Sequence, residues 1–130
     1  MNISDIEPML TVEDEAFSEE YRKIILAINP TNDTPIDLWK KLEMISKEEI
    51  IESIKNSSRD SYFALYTDYS DEQACEIYSL TKGQAISFIA DNFDEDREEG
   101  IDIIMCDDLY DMSYLGNHDG ILLKKKTENI

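Results

Sequence analysis

The chain has few of the residues on which metal, disulfide and phosphate-binding sites depend. Its 130 residues include 1 histidine, 2 cysteines and 4 glycines. Cys75 and Cys106 lie far apart without CxxC spacing, which predicts buried, reduced thiols and a reducing compartment. So few glycines leave little material for a phosphate-binding loop. These scarcities argue against zinc, disulfide and nucleotide chemistry.

Long apolar runs are also missing. No run reaches the roughly 18 to 20 apolar residues that span a bilayer, and the first residues are acidic where a signal peptide would be basic. We therefore expect a cytoplasmic protein with no membrane partner. The composition, 42% hydrophobic and 32% charged, is typical of a globular protein. We expect one acidic domain over residues 1–130, with irregular arms at 1–16 and 124–130.

Basic residues are scarce as well, since 12 Lys and Arg face 30 Asp and Glu, for a net charge of −18. A surface of this sign repels nucleic acid and anionic lipid. It attracts cationic proteins through long-range forces that salt weakens. We therefore expect a basic protein as the partner and no direct binding to nucleic acid. The alternative is that the acidity serves only solubility.

Helix-start patterns predict four helices. Ser46 with Glu49 and Thr81 with Gln84 form two capping boxes, and Thr34 precedes a proline at the first helical position. We expect the helix at about 82–92 to bury Ala85, Phe88 and Ile89.

The first two of the four helices, in chain order, also show apolar faces at helical spacing. Ser18 is the expected N-cap of the first of these helices. Its face, and that of the short helix after Thr34, are Tyr21, Ile24, Ile25 and Ile28, and Ile36, Trp39 and Leu42.

Alternating patterns predict strands at 62–67, 74–80, 101–106, 110–115 and 121–123. The first two form a hairpin and the last three a meander, because sequential strands with short connections usually pair antiparallel. The element order is ααα-ββ-α-βββ. We therefore expect a two-layer α+β domain, with N-terminal helices packed on an antiparallel sheet and one helix inserted between strand pairs.

Candidate catalytic and metal sites are weak. His118 lies in a Gly-Asn-His-Asp-Gly turn without a ligand partner, and Cys106, His118 and Asp119 lack the flanking pattern of a nucleophile site. The acidic loop that starts at Asp94 lacks the glycine and the closing acid of an EF-hand, although a looser divalent-cation site stays open. We expect no enzyme activity, no cofactor and no metal.

Acidic residues cluster in the C-terminal half. Ten acids and one base fall between Asp91 and Asp111, in two groups at the ends of one strand, which spans roughly 20 Å. Tyrosines lie among or near them, as expected for an interface or for the rim of a half-buried sheet. They are Tyr110 and Tyr114 after the cluster and Tyr62, Tyr66, Tyr69 and Tyr78 on the first hairpin. The candidate partner-binding residues are Asp94, Glu95, Asp96, Glu98, Glu99, Asp107, Asp108, Tyr110 and Asp111.

Small size, strong acidity, helices with an antiparallel sheet and the segment Asp107-Asp-Leu-Tyr-Asp-Met-Ser-Tyr114 together resemble small bacterial immunity proteins of contact-dependent inhibition and related polymorphic toxin systems. The resemblance is one of overall pattern and includes no signature motif. It implies an antitoxin that covers the active site of a basic toxin, often a nuclease. The alternatives are a phage-encoded nucleic-acid mimic or inhibitor of a host defence protein, and a non-catalytic adaptor domain.

Overall fold

The computed structural model describes residues 6–68, 74–92, 101–116 and 122–125. The elements in these ranges are, in chain order, β1 (Leu10–Thr11), α1 (Phe17–Ile28), α2 (Pro35–Lys40), β2 (Leu42–Met44), α3 (Lys47–Asn56), β3 (Ser61–Asp68), β4 (Ala74–Thr81), α4 (Lys82–Asn92), β5 (Ile101–Asp107), β6 (Ser113–Gly116) and β7 (Leu122–Lys125). The strands form one sheet in the order β1-β4-β3-β5-β6-β7-β2. Each strand is antiparallel to its neighbours.

Helices cover both faces of this sheet. In β3, Leu65 points towards α1 and packs with Ile24, while Ala64 points the other way and packs with Phe88 of α4. The α+β class, the antiparallel sheet and the helix inserted between strand pairs are confirmed. The division of the helices makes three layers where we expected two. A strand buried on both faces reads as a nearly continuous apolar run, and β5, with the sequence Ile-Asp-Ile-Ile-Met-Cys-Asp, is such a strand.

Side-chain caps begin three of the helices where they were predicted. Ser46 Oγ accepts a hydrogen bond from the Glu49 backbone N–H at 3.1 Å. The second capping box is reciprocal, because Thr81 Oγ1 accepts from the Gln84 N–H at 3.2 Å and Gln84 Oε1 accepts from the Thr81 N–H at 2.9 Å. Thr34 caps α2. These contacts are local, so the sequence pattern was sufficient to predict them.

The first helix differs from its prediction. It starts at Phe17 without a side-chain cap, so Ser18 is not the N-cap. Its buried residues include Phe17, Ile24 and Ile28, whereas Tyr21 is exposed. The buried face of α1 therefore includes Phe17, whereas the prediction had placed Tyr21 on it.

The second helix was predicted to bury an apolar face, and this prediction is wrong. Ile36 and Trp39 are 74% and 45% exposed. Leu42, the third residue of that face, lies in β2, where it is buried beside Leu123 and Ile28. Because α2 ends at Lys40, the chain extends early enough for β2 to pair with β7, at the edge of the sheet.

Both edge strands, β1 and β2, were absent from the prediction. Leu10 lies in the segment 1–16, which we expected to be an irregular arm, and it pairs with Ile77 of β4. At the other edge, Glu43 pairs with Lys124 across the strands and their side chains form a 3.4 Å salt bridge. Strands of two and three residues carry too short an alternation to be recognised before their partners are known.

Tyr62 of β3 and Tyr78 of β4 belong to the core, and Tyr66 of β3 is partly buried. Tyr62 and Tyr78 are 1% and 4% exposed under α3 and α4. The Tyr62 hydroxyl donates to the Arg59 carbonyl at 3.2 Å, and the Tyr78 hydroxyl donates to the Glu76 carboxylate. Burial raises the pKa of Tyr78. An interface role for these two tyrosines is excluded by their burial in the folded chain, and Tyr69 lies outside the described residues.

Candidate functional site

Four of the predicted partner-binding residues lie together where β5 ends, and the other five lie outside the described residues. Asp107 is the last residue of β5, and residues 108–112 form the connection to β6, which we call the β5–β6 loop. The undescribed ones are Asp94, Glu95, Asp96, Glu98 and Glu99. The site can therefore be built from the β5–β6 loop and from the elements that it contacts.

Asp107 supports the β5–β6 loop from inside. The residue is 2% exposed, and its Oδ1 accepts a hydrogen bond from the Asp111 backbone N–H at 2.8 Å. Its own N–H donates to the Met112 carbonyl, and its carbonyl accepts from the Tyr110 N–H. A buried carboxylate with these partners closes the turn, and it is not accessible to a partner protein in this conformation.

The Asp108 carboxylate is bound by Arg59, which lies just before β3. Arg59 Nε and Nη2 donate to the two Asp108 carboxylate oxygens, each at 2.7 Å. This fork is the strong, orientationally specific form of a carboxylate ion pair, and the Arg59 hydrogen bond lowers the pKa of Asp108. The Asp108 N–H also donates to the Ser61 carbonyl. The charge of Asp108, which was predicted for a partner, is therefore compensated within the chain.

Tyr110 connects the loop to α1. Its hydroxyl donates to Glu20 Oε1 at 2.6 Å, and its ring stacks on Phe63 with the ring centroids 5.8 Å apart. Burial, followed by the Glu20 carboxylate, raises the pKa of the phenol. The backbone of Tyr110 has φ 59°, the left-handed region that bulky residues rarely adopt. The hydroxyl and ring contacts hold this conformation, whose cost is of order 1 to 3 kcal/mol.

The fixed turn exposes two side chains at its tip. Leu109 is 55% exposed, and Asp111 is also exposed. Glu19, one residue before the Tyr110 partner on α1, presents a second exposed carboxylate, with Lys23 3.7 Å away. We refer to Leu109, Asp111, Glu19 and Glu20 as the acidic tip. The tip combines one apolar side chain with carboxylates from the β5–β6 loop and from α1. The loop backbone is held by the contacts of Asp107, Asp108 and Tyr110.

Sequence reasoning named Asp107, Asp108, Tyr110 and Asp111 as candidates, and it did not name Leu109, Arg59, Glu19 or Glu20. Leu109 had a signal, because it is the apolar residue in an acidic turn, between Asp108 and Tyr110. The other three are distant in sequence, with Arg59 49 residues from Asp108 and Glu20 90 residues from Tyr110. Such contacts become visible only when β3, β5 and α1 are placed side by side.

Cys106 lies directly below this turn. It is a free thiol, 1% exposed, and burial raises its pKa to about 12. The thiol is neutral near pH 7, whereas the thiolate is the nucleophilic form. The other members of the catalytic set considered from the sequence, His118 and Asp119, lie outside the described residues. In the described ranges no group of three or more His, Cys, Asp and Glu side chains could hold a metal ion.

Comparison of the chain with protein-family models, with curated proteins and with solved structures finds no match. Among the helices of the described residues, none has the length and apolar character to cross a membrane.

Proposed function

We propose that the chain is an acidic protein-binding inhibitor, most specifically an immunity protein that neutralises a basic toxin domain. The acidic tip is the observation that supports this function. The loop backbone that carries Leu109 and Asp111 is prepositioned by Asp107, by the Arg59–Asp108 fork and by the bond from Tyr110 to Glu20. Prepositioning lowers the entropy lost on association, and affinity depends on that loss as well as on contact area.

The two kinds of side chain at the tip contribute differently to binding. Complete burial of a leucine side chain stabilises by roughly 1.5 to 3 kcal/mol, so Leu109 supplies affinity if a partner covers it. The exposed carboxylates of Asp111 and Glu19 supply attraction to lysine and arginine. With a net charge of −18, this attraction acts at long range and accelerates association, mainly at low salt.

The nucleic-acid mimic is supported less well than the immunity protein. A mimic presents carboxylates in rows that follow the phosphate spacing of a duplex. At the described end of the acidic cluster, Asp107 is buried and Asp108 is paired with Arg59, so these two do not extend such a row. An exposed leucine at the centre of the tip also suits a protein surface better than a phosphate-binding groove.

The test compares a tip variant with a matched control. Leu109→Ser combined with Asp111→Asn removes one exposed apolar side chain and one exposed carboxylate from the tip. Ile36→Ser combined with Asp37→Asn makes the same chemical change on α2. Wild-type and variant proteins are used to capture partners from the source cells, with quantitative mass spectrometry. A captured protein is then purified, and its association rate and enzymatic activity are measured at two salt concentrations.

We expect a basic protein that the wild type and the α2 control capture and the tip variant loses. Its activity should be inhibited at one-to-one stoichiometry, and its association with the wild type should slow as salt rises. Equal capture by the tip variant and the wild type would place the interface elsewhere. A captured protein that stays fully active in the complex would contradict inhibition.

A further inference from the structure

Three exposed apolar side chains lie at the β2 edge of the sheet, and we call them the α2–β2 surface. Ile36 and Trp39 of α2 are 74% and 45% exposed, and Met44 of β2 is 75% exposed. Leu38 of α2 packs against the cluster that contains Leu42 of β2. Met44 lies on that same face, because side chains two residues apart in a strand point the same way. Large apolar side chains exposed together mark interaction sites.

The helix α2 has little packing of its own. It has six residues, none of which is buried, and it begins at a Thr34 cap and Pro35. A helix this short depends on packing of an apolar face, because its propensity alone gives a marginal helix in water. Ile36 and Trp39, three residues apart, form such a face, yet both side chains are exposed. A second surface that covered this face would supply the packing that α2 lacks.

The charges around the α2–β2 surface are balanced in a strongly acidic chain. Residues 29–47 contain three acids and three bases, although the whole chain has a net charge of −18. Each of these acids is paired with a lysine of the same chain. The pairs are Asp33 with Lys41 at 2.6 Å, Asp37 with Lys40 at 3.7 Å, and Glu43 with Lys124 at 3.4 Å. Two copies of the chain therefore meet less local repulsion here than at the acidic tip.

We propose that a second copy of this chain covers the α2–β2 surface, in a symmetric dimer in which α2 of one protomer contacts α2 of its partner. In such a dimer the same patch serves on both subunits, which suits an apolar face whose neighbouring charges are already paired. A standard interface buries about 800 Å² on each partner. The α2–β2 surface rests on three side chains, so the dimer is weak and depends on concentration.

The dimer surface is separate from the acidic tip. Leu38 of α2 packs near Ile28, at the C-terminal end of α1, whereas the tip includes Glu20 near its N-terminal end. From Glu20 to Ile28 the helix rises by about 12 Å. Dimerisation is therefore independent of the proposed inhibitor function. Loss of the dimer should leave capture of a basic partner unchanged, as expected for the α2 control.

Analytical ultracentrifugation of the whole protein tests this dimer. The concentration runs from about 10 µM to about 1 mM, where interfaces of small area dissociate, at low and at moderate salt. The chain has 1 tryptophan, so a shift of its fluorescence to shorter wavelength reports burial of Trp39. Ile36→Ser and Met44→Ser each remove one exposed side chain of the surface. Leu109→Ser is the matched control, because Leu109 is also exposed but lies at the tip.

We expect a monomer–dimer equilibrium that strengthens as salt rises, because salt screens the repulsion between two chains of net charge −18. Association at the acidic tip should respond to salt in the opposite direction. Ile36→Ser should weaken the dimer by about tenfold or more, because the change removes apolar burial from both copies. Met44→Ser should weaken it as well, and Leu109→Ser should leave it unchanged.

Urea denaturation of each variant is measured first, and a variant that does not fold is replaced in the comparison by the other surface variant. A wild type that stays monomeric over the whole range would overturn the proposal. The same holds for a dimer that weakens as salt rises, for assemblies that grow beyond two copies, and for a dimer that Leu109→Ser disrupts while Ile36→Ser and Met44→Ser leave it intact.

Discussion

The hydrogen bond between the Tyr110 hydroxyl and Glu20 is the contact that most directly holds the β5–β6 loop against α1. Tyr110→Phe removes this hydrogen bond and keeps the ring, so the stack on Phe63 and the backbone conformation at φ 59° are retained. The variant therefore isolates the contribution of one hydroxyl group.

The expected loss of stability follows from the partners. A hydrogen bond to a charged group contributes about 1.5 to 3 kcal/mol. The lower end applies here, because the Glu20 side chain is 15% exposed and can gain water, and because Lys23 lies 3.9 Å from its Oε2. We expect Tyr110→Phe to lower the free energy of unfolding by about 1.5 kcal/mol, which is roughly a tenfold change in the folding equilibrium. The midpoint of thermal unfolding should fall by about 4 to 8 °C.

The assay is urea denaturation followed by circular dichroism, with Tyr21→Phe as the matched control. Tyr21 is 40% exposed, and within the described residues its hydroxyl has no hydrogen-bond partner, so the control should change stability by less than about 0.5 kcal/mol. Glu20→Gln, alone and with Tyr110→Phe, completes a double-mutant cycle. Equal effects of the two tyrosine variants, or strict additivity in the cycle, would refute the inference that this bond holds the turn.

Three further variants test the core, a cap and a buried thiol. Phe88→Ala, at a fully buried position, should destabilise by about 3 to 5 kcal/mol in the same denaturation assay, and an effect below about 1 kcal/mol would contradict its place in the core. Ser46→Ala should cost about 1 kcal/mol through loss of the α3 cap, measurable as a lower urea midpoint. Folding raises the Cys106 pKa from 9.0 to about 12, so its contribution to stability is present below pH 9 and is lost as the pH rises towards 12. Cys106→Ala should therefore show a shallower loss of stability in this interval, and an unchanged pH dependence would contradict the assignment.

The parts of the fold that could be predicted from sequence are those set by neighbours in the chain. The capping boxes at Ser46 and Thr81 were correct because the cap and its partner are three residues apart. The strands predicted at 62–67 and 101–106 agree with β3 and β5 to within one residue at each end, because their apolar patterns are local. The short edge strands were missed because their pairing depends on β4 and β7, which are distant in sequence.

The candidate site was predictable in composition but not in the roles of its residues. Asp107, Asp108 and Asp111 are neighbours in an acidic run, and nothing local distinguishes them. In the fold one is buried, one is bound to Arg59 and one is exposed. The difference arises from the register of β5 on β3 and from the approach of Arg59 at the start of β3, both of which are tertiary features.

The net charge of −18 therefore overstates the charge that the fold presents to a partner. Glu76 binds a buried tyrosine, Asp33 binds Lys41, and Asp107 caps a turn. These carboxylates contribute to the long-range field, but they cannot form close contacts without breaking bonds within the chain. Asp111 is exposed and can do both, and Glu19 can do so by exchanging its exposed contact with Lys23. Neutralising exposed acids should therefore slow association without loss of stability, whereas neutralising the internally bonded acids should destabilise the fold.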